Sequence, residues 1–207
     1  MGFTLIDPEH WSRKEYYLHF INDVRCTYSV CVNIDITNLK GYKLYPTILW
    51  LLTGTVNQMP EFRTALTEEG LGIYDRMNPT YTIFNKAGEN FSAIWTEYSE
   101  NYLDFLKAYE EDTAQYTGST VISPKPGRPN NSFDVSMLPW FTFTALNINV
   151  FDDGKHLLPI FTMGKYFEEN GKRLLPLSVQ VHHAVCDGYH VGKFLGLLQE
   201  AIDGFRG

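Results

Sequence analysis

Two adjacent histidines near the C-terminus are the residues of this chain best suited to acid–base chemistry. His182 and His183 end an alternating run that begins at Leu177, and Asp187 and Gly188 follow shortly after them. If the run is a β-strand, its side chains alternate between two faces. His183 then shares the apolar face with Leu177, which predicts that His183 is the buried histidine. Such an imidazole suits a general base near neutral pH, although a hydrogen-bonded core histidine fits the same pattern.

Other chemistries have less support in the sequence. Neighbours on a strand point in opposite directions and cannot easily share an ion, and no zinc-type spacing occurs, so we expect no metal site. Glycine-rich nucleotide loops and a Gly-x-Ser-x-Gly elbow are also missing from the sequence. Cys186 is a candidate nucleophile, but a cysteine among apolar neighbours is more often inert. A base without an attached nucleophile suits a transferase whose acceptor brings its own hydroxyl or thiol to an acyl thioester.

Composition limits the class of protein. Of the 207 residues, 44% are hydrophobic and 15% aromatic, which is enough for a sizeable core. The formal net charge of -7 argues against nucleic-acid binding. The three cysteines form no CxxC pair, which favours a reducing compartment. With no secretory signal and no apolar run that could span a bilayer, we expect a cytoplasmic protein with no membrane partner.

Hydrophobic patterning predicts the order of the elements. Helices are expected to begin at Asp7 and Pro8, at Pro46, after a Ser99 cap and after an Asp187 cap. Strands are predicted at Tyr28 to Ile36, Leu71 to Tyr74, Tyr81 to Phe84, Phe91 to Trp95, Phe141 to Val150, Leu157 to Phe167 and Arg173 to His182. The last two form a hairpin, and Thr117 to Ser132 is a loop. The order predicts one domain, residues 1–207, with an α/β (α+β) two-layer sandwich: a mixed, mainly antiparallel sheet covered by helices.

The histidine pair belongs to a longer pattern that resembles a known family. Residues 182–188 are similar to the HHxxxDG signature of the coenzyme A-dependent acyltransferases, and Gln180 to Val191 resembles the active-site stretch of type A chloramphenicol acetyltransferases. Other similar segments follow in family order: Trp11 to Glu15, Cys26 to Tyr28, Leu44 to Pro46, Pro60 to Arg63, Asn90 to Ser92, Val135 to Trp140 and Phe161 to Tyr166. The resemblance covers nearly the whole chain.

The resemblance implies an activity and roles for single residues. Members of that family transfer the acetyl group of acetyl-CoA, a co-substrate and not a permanently bound cofactor, to the 3-hydroxyl of chloramphenicol, and so inactivate the antibiotic. They are homotrimers with active sites between subunits. His183 matches the general base, Ser136 the oxyanion donor and Thr162 a threonine that acts through water. Asp187 and Arg13 match a structural ion pair, although a helix cap and a solvated charge are the plainer alternatives.

The remaining implied roles concern substrate binding. The matched positions are Phe20, Cys26, Phe91 and Ile148 for the acceptor and Trp140 and Tyr166 for coenzyme A. Phe91, Trp140 and Tyr166 could instead be plain core aromatics. Phe20 stands where some members have tyrosine, and Ala87 to Glu89 also departs from the family pattern. These departures leave open a related O-acetyltransferase that acts on another small alcohol or drug. A silent chloramphenicol-binding protein is a third hypothesis, against which the retention of both Ser136 and His183 argues.

Overall fold

A computed structural model describes residues 2–207 of the chain as ten strands and four α-helices, joined by loops and short 3-10 and π-helical turns. The strands are β1 Phe3–Leu5, β2 Thr27–Asp35, β3 Thr64–Thr67, β4 Gly70–Tyr74, β5 Asn78–Asn85, β6 Asn90–Trp95, β7 Ser132–Met137, β8 Ile160–Met163, β9 Phe167–Glu169 and β10 Lys172–His182. The helices are α1 Lys14–Leu18, α2 Leu44–Gln58, α3 Tyr102–Tyr116 and α4 Gly188–Gly204. A π-helical turn, His19–Asp23, continues α1.

The larger sheet confirms the predicted class. Its strand order is β2-β10-β8-β7-β5-β6, and β9 also pairs with β10. The β5–β7 and β7–β8 pairs are parallel and the others are antiparallel, so the sheet is mixed and mainly antiparallel. A small antiparallel sheet has the order β1-β4-β3. Within residues 2–207, no helix is both long and apolar enough to cross a bilayer.

The core lies between the larger sheet and the helices. Phe161 of β8 stacks at 5.3 Å on Phe194 of α4, which in turn stacks at 4.5 Å on Phe62. The helix α2 is buried over most of its circumference, as its apolar sequence predicts. Burying aromatic rings of this size contributes a large part of the stability of a fold. This packing fixes β10 and α4, the two elements on either side of the histidine pair.

Two predicted helix starts are wrong by a few residues. Asp7 accepts the Glu9 N–H at 2.9 Å and closes a turn, and α1 begins only at Lys14. A side-chain oxygen that can bond the backbone two residues on favours an isolated turn as readily as a helix cap. Likewise Asn101, not Ser99, caps α3, because its side chain accepts two N–H groups of the first helical turn.

The predicted strand Phe141 to Val150 is also wrong. These residues, called the crossing segment below, are assigned to neither sheet of the described chain. Both edges of β10 are already paired, with β2 and with β8, so the segment has no free edge beside it. The predicted hairpin does form: β9 pairs with β10 through Asn170 and Gly171, whose positive φ angles of 51° and 77° fit a tight two-residue turn.

Candidate active site

His183 lies in the turn directly after β10. Its N–H donates to the carbonyl of Cys26 at 2.9 Å, which fixes the backbone beside β2. The imidazole stacks on Phe20, with centroids 4.2 Å apart and planes 9° apart. Tyr28 packs its ring edge-on against the same imidazole at 5.2 Å. Two aromatic contacts therefore hold the imidazole in one orientation, and Phe20 and Cys26 both lie beside it.

The prediction that His183 is the more buried histidine is wrong. His182 is 1% exposed, whereas the side chain of His183 is 34% exposed. Alternation does place the two on opposite faces, but both faces of β10 are covered and His183 lies past the last ladder residue. Burial lowers the pKa of His182, with Asp152 opposing it only in part, and its Nδ1 accepts the Ala184 N–H at 3.1 Å. His183, the more exposed of the two histidines, is therefore the better placed to meet a substrate.

Arg13 and Asp187 form the predicted ion pair. Two guanidinium nitrogens of Arg13 donate to the two carboxylate oxygens, at 2.6 and 3.0 Å. Arg13 also donates to the carbonyls of His183 at 3.1 Å and Ala184 at 3.4 Å. Burial opposes the charge on Arg13, but Asp187 outweighs it and the pKa of Arg13 is raised. The hydrogen bonds from Arg13 lower the pKa of Asp187, with burial opposing. Bidentate bonds of this kind are strong and directional.

The histidine nitrogens have distinct environments. Nδ1 of His183 is buried and lies 3.1 Å from Oδ1 of Asp187, but the two atoms are not aligned as a hydrogen bond, and Nδ1 has no other partner within residues 2–207. About a third of the side chain is exposed while Nδ1 is buried, so the accessible ring edge is the one that carries Nε2. Nε2 is therefore the nitrogen that can meet a proton donor from outside.

Two residues near this turn escaped the sequence reasoning. The hydroxyl of Tyr28 donates to the Cys186 carbonyl at 3.2 Å, in addition to the ring contact with His183. His190 accepts the Asp187 N–H at Nδ1, at 2.9 Å, and so closes the start of α4. Tyr28 begins an alternating strand and reads as an ordinary β residue, so only its closeness to the motif in space identifies it.

Cys186 does not have the environment of a nucleophile. It is 1% exposed, and burial raises the pKa of its thiol to about 12. The thiolate is the reactive form of cysteine, and its population near neutral pH is then very small. The structure thus favours a structural part for Cys186 and leaves His183 without an attached nucleophile.

Ser136 belongs to a second group of predicted residues. Together with Phe91 and Trp140 it lines a mainly apolar cavity of about 470 Å³ between β5, β6, α3 and the end of β7. Trp140 is half exposed and contacts Phe84 edge-on at 4.8 Å. A concave apolar wall with a few polar groups is the usual form of a small-molecule site.

A row of polar residues crosses the sheet at the level of Ser136. Ser136 pairs with Thr162, Thr162 with Ser178, and Ser178 with Cys31. Paired residues of neighbouring strands point to the same face, so these four residues, called the polar row below, lie side by side on one face of the sheet. Thr162 is buried, at 3% exposed.

The register of the polar row also gives the distance between Ser136 and His183. Ser136 lies two strands away from Ser178, and His183 lies five residues beyond Ser178, one residue past the end of β10. With about 4.8 Å between strands and about 3.3 Å per residue, the Cα atoms of Ser136 and His183 are about 19 Å apart. One chain therefore brings Arg13, Phe20 and Asp187 to His183, but it does not bring Ser136 there.

The remaining predicted residues lie outside both groups. Ile148 is in the crossing segment, where its N–H donates to Oε1 of Gln180 at 3.0 Å. Tyr166 is 40% exposed, beneath the guanidinium of Arg173 at 4.3 Å. The N–H of Lys165, next to Tyr166, donates to the carbonyl of Phe141 at 2.8 Å, so Tyr166 and Trp140 lie on neighbouring stretches of backbone.

Comparisons with known proteins confirm the resemblance. The chloramphenicol acetyltransferase family model matches residues 1–199. A chloramphenicol acetyltransferase of Clostridium perfringens is 50% identical over 100% of this chain and 97% of its own, and one of Staphylococcus aureus is 41% identical over 98% and 97%. Among solved structures, a chloramphenicol acetyltransferase with 19% identity has a TM-score of 0.85 and covers 97% of this chain and 100% of that chain, which shows the same fold. The chain belongs to the chloramphenicol acetyltransferase family.

Proposed function

We propose that this chain transfers the acetyl group of acetyl-CoA to the 3-hydroxyl of chloramphenicol, which inactivates the antibiotic. The observation that carries the proposal is the His183 imidazole, held between Phe20 and Tyr28 with an open edge and with no hydroxyl or thiol of residues 2–207 hydrogen-bonded to its ring. The names of the relatives supply the acceptor, chloramphenicol, and the acetyl group that is transferred, and the resemblance of residues 182–188 to the signature of coenzyme A-dependent acyltransferases supplies the donor. The three free cysteines support a cytoplasmic site for the reaction, since disulfide-forming compartments tend to pair such thiols.

The proposed mechanism is direct transfer. Nε2 of His183 removes the proton of the 3-hydroxyl while that oxygen attacks the carbonyl carbon of the thioester. The Ser136 hydroxyl donates to the resulting oxyanion, and Thr162 supports it through water. When the tetrahedral intermediate collapses, the C–S bond breaks and His183 returns the proton to the sulfur of coenzyme A. No acyl-enzyme forms, in keeping with the inert environment of Cys186.

The proposed active site is shared between two copies of the chain. The separation of about 19 Å between Ser136 and His183 is too large for both to contact one tetrahedral centre, because hydrogen bonds of this kind need about 3 Å. A second copy that presents its Ser136 to this His183 would complete the site. Repeating such a head-to-tail contact closes a ring, and we propose a homotrimer of single-domain chains.

The ion pair has a positioning role in this proposal. Arg13 bonds the carbonyls of His183 and Ala184 as well as the Asp187 carboxylate, so it fixes both ends of the turn that carries the base. We assign neither charged residue a proton-transfer step. Phe20, Cys26, Phe91 and Ile148 are assigned to the chloramphenicol pocket, and Trp140 and Tyr166 to the coenzyme A channel.

Release of free thiol from acetyl-CoA in the presence of chloramphenicol tests the proposal. The purified chain should release thiol, and His183→Ala should lower turnover by about 10²–10⁴-fold, the usual contribution of a general base. His10→Ala is the matched control, because His10 is 85% exposed on a surface turn and should leave turnover unchanged. Thiol release only with another alcohol would favour the related acetyltransferase. Chloramphenicol binding without thiol release would favour a binding protein, and near-normal turnover of His183→Ala would refute the mechanism.

A further inference from the structure

We propose that Ser178 and Gln180 are positioning residues that set the affinity for the acceptor. They hold the crossing segment over the polar row, although neither residue contacts the reacting atoms in this proposal. The inference rests on the proposed acetyl transfer and extends it, since it identifies what determines the position of the acceptor pocket wall. Three side chains that bond the backbone of the segment, at Leu146 and at Ile148, carry it.

Two of these side chains, Ser178 and Cys31, bond the peptide groups of Leu146. The hydroxyl of Ser178 donates to the Leu146 carbonyl at 3.0 Å. Sγ of Cys31 accepts the Leu146 N–H at 3.3 Å and lies 3.8 Å from the same carbonyl oxygen. Both side chains belong to the polar row that contains Ser136 and Thr162. The backbone at Leu146 is thus attached directly to that row.

The contact at Ile148 lies two residues further along the segment, and the side chain that makes it lies two residues further along β10. Oε1 of Gln180 accepts the Ile148 N–H at 3.0 Å and the Ser29 hydroxyl at 3.4 Å. Residues 178 and 180 point to the same face of β10, and they bond residues 146 and 148, so the contacts follow the two-residue period of an extended chain. Side chains therefore supply here the bonds that a neighbouring strand would supply in a sheet.

These contacts leave the segment few alternative positions above the sheet. Ser178 is 2% and Gln180 7% exposed, and a buried polar group that loses its partner costs more than the bond itself contributes. Since the segment has no strand ladder within the described chain, the lengths of these two side chains set its height above the sheet. Ile148, the proposed pocket residue, therefore keeps a fixed distance from Thr162 and Ser136.

Loss of the contacts at Leu146 and Ile148 is expected to weaken the binding of the acceptor and not that of acetyl-CoA. The coenzyme A residues Trp140 and Tyr166 lie at the other end of the segment, where the Lys165 N–H bonds the Phe141 carbonyl at 2.8 Å. That backbone contact does not involve Ser178 or Gln180. Loosening the segment at Leu146 and Ile148 should therefore disturb the acceptor pocket and leave the coenzyme A channel in place.

Steady-state kinetics of shape-conserving variants test the inference. Gln180→Met keeps the volume but loses the acceptor, and it should raise KM for chloramphenicol about three- to tenfold, the range for one backbone hydrogen bond. KM for acetyl-CoA and kcat should change by less than about twofold. Ser178→Ala should act in the same direction, and Ser178→Thr, which keeps the hydroxyl, should restore the wild-type value. Gln199→Met is the matched control, because Gln199 bonds the backbone of Asp35 far from the segment.

Amide hydrogen exchange gives a readout that does not depend on the substrate. Exchange at Leu146 and Ile148 should speed up in Gln180→Met and not in Gln199→Met. Unchanged exchange at Ile148, or an equal rise of both KM values, would overturn the inference. If the wild-type chain released no thiol with chloramphenicol, the proposed function would fail, and the exchange experiment would still decide whether Gln180 holds the segment.

Discussion

Arg13 holds the backbone of the turn that carries His183, the proposed general base. Its guanidinium donates to Asp187 and to two backbone carbonyls of the turn, so one side chain satisfies acceptors that would otherwise face a partly buried space. The two partners are 174 residues apart in sequence. No local pattern predicts such a pair, and only the family resemblance pointed to it.

The pH dependence of stability tests the ion pair of Arg13 and Asp187. A carboxylate whose pKa is lowered by folding stabilises the folded state above its unfolded pKa, about 3.9, and this contribution is lost as pH falls through the lower folded pKa. The difference in Tm between wild type and Asp187→Asn should therefore be full at pH 7 and shrink below about pH 4. Asp23→Asn, at an exposed position, should show no such difference. A Tm difference that persisted unchanged at pH 3 would argue against the pairing with Arg13.

The residues of the site also show what alternation can and cannot predict. It correctly separated His182 from His183 onto opposite faces, because a strand has a period of two. It gave the wrong order of burial, since a central strand is covered on both faces and the polarity of a face then no longer reports exposure. Tyr28 was overlooked for a related reason: its neighbour His183 is distant in sequence and meets it only through the pairing of β2 with β10.

Among the elements, the loop between α3 and β7 is anchored along the sheet edge. Its Ile122 carbonyl accepts the Ala93 N–H at 2.7 Å, and its Val121 carbonyl accepts the Ser92 hydroxyl at 2.6 Å. Lys125 reaches inward to Asp112 at 2.6 Å, and both side chains are largely buried. Covering an edge strand in this way protects its free backbone groups. The composition of the loop predicted irregular structure but not this anchoring.

Removing the anchor should destabilise the chain without impairing catalysis. Lys125→Met leaves the largely buried Asp112 carboxylate without its cation, which should cost less than the ~3–5 kcal/mol typical of a fully buried pair. We expect a clear fall in Tm, measured by calorimetry, with kcat for thiol release unchanged. Lys107→Met is the control, because Lys107 and Glu111 are mostly exposed, 4.0 Å apart, and such pairs contribute about 0–1 kcal/mol. A Tm equal to that of wild type would show that the loop is held by its backbone contacts alone.

For the whole molecule, the larger sheet and its helical cover followed from the order of strands and helices, because hairpins and apolar helices have strong periodic patterns. The crossing segment did not, since its alternating sequence fits a strand as well as an extended chain that side chains hold in place. The division of the proposed site into two groups also depends on register, which fixes Ser136 beside Thr162 and far from His183. Register is a tertiary property and cannot be read from one strand at a time.

Mixing two inactive variants tests the shared site. His183→Ala should be nearly inactive because it lacks the proposed base. Ser136→Ala should lower turnover by about 10²–10³-fold because it lacks the proposed oxyanion donor. If base and serine come from different copies, a mixed trimer contains some sites with both residues intact. Random assembly of equal amounts gives roughly one quarter of sites intact, so co-refolded chains should recover roughly a quarter of wild-type thiol release. Mixing without refolding is the control. No recovery from trimers shown by native mass spectrometry to contain both variants would place both residues in one chain's site and contradict the shared arrangement.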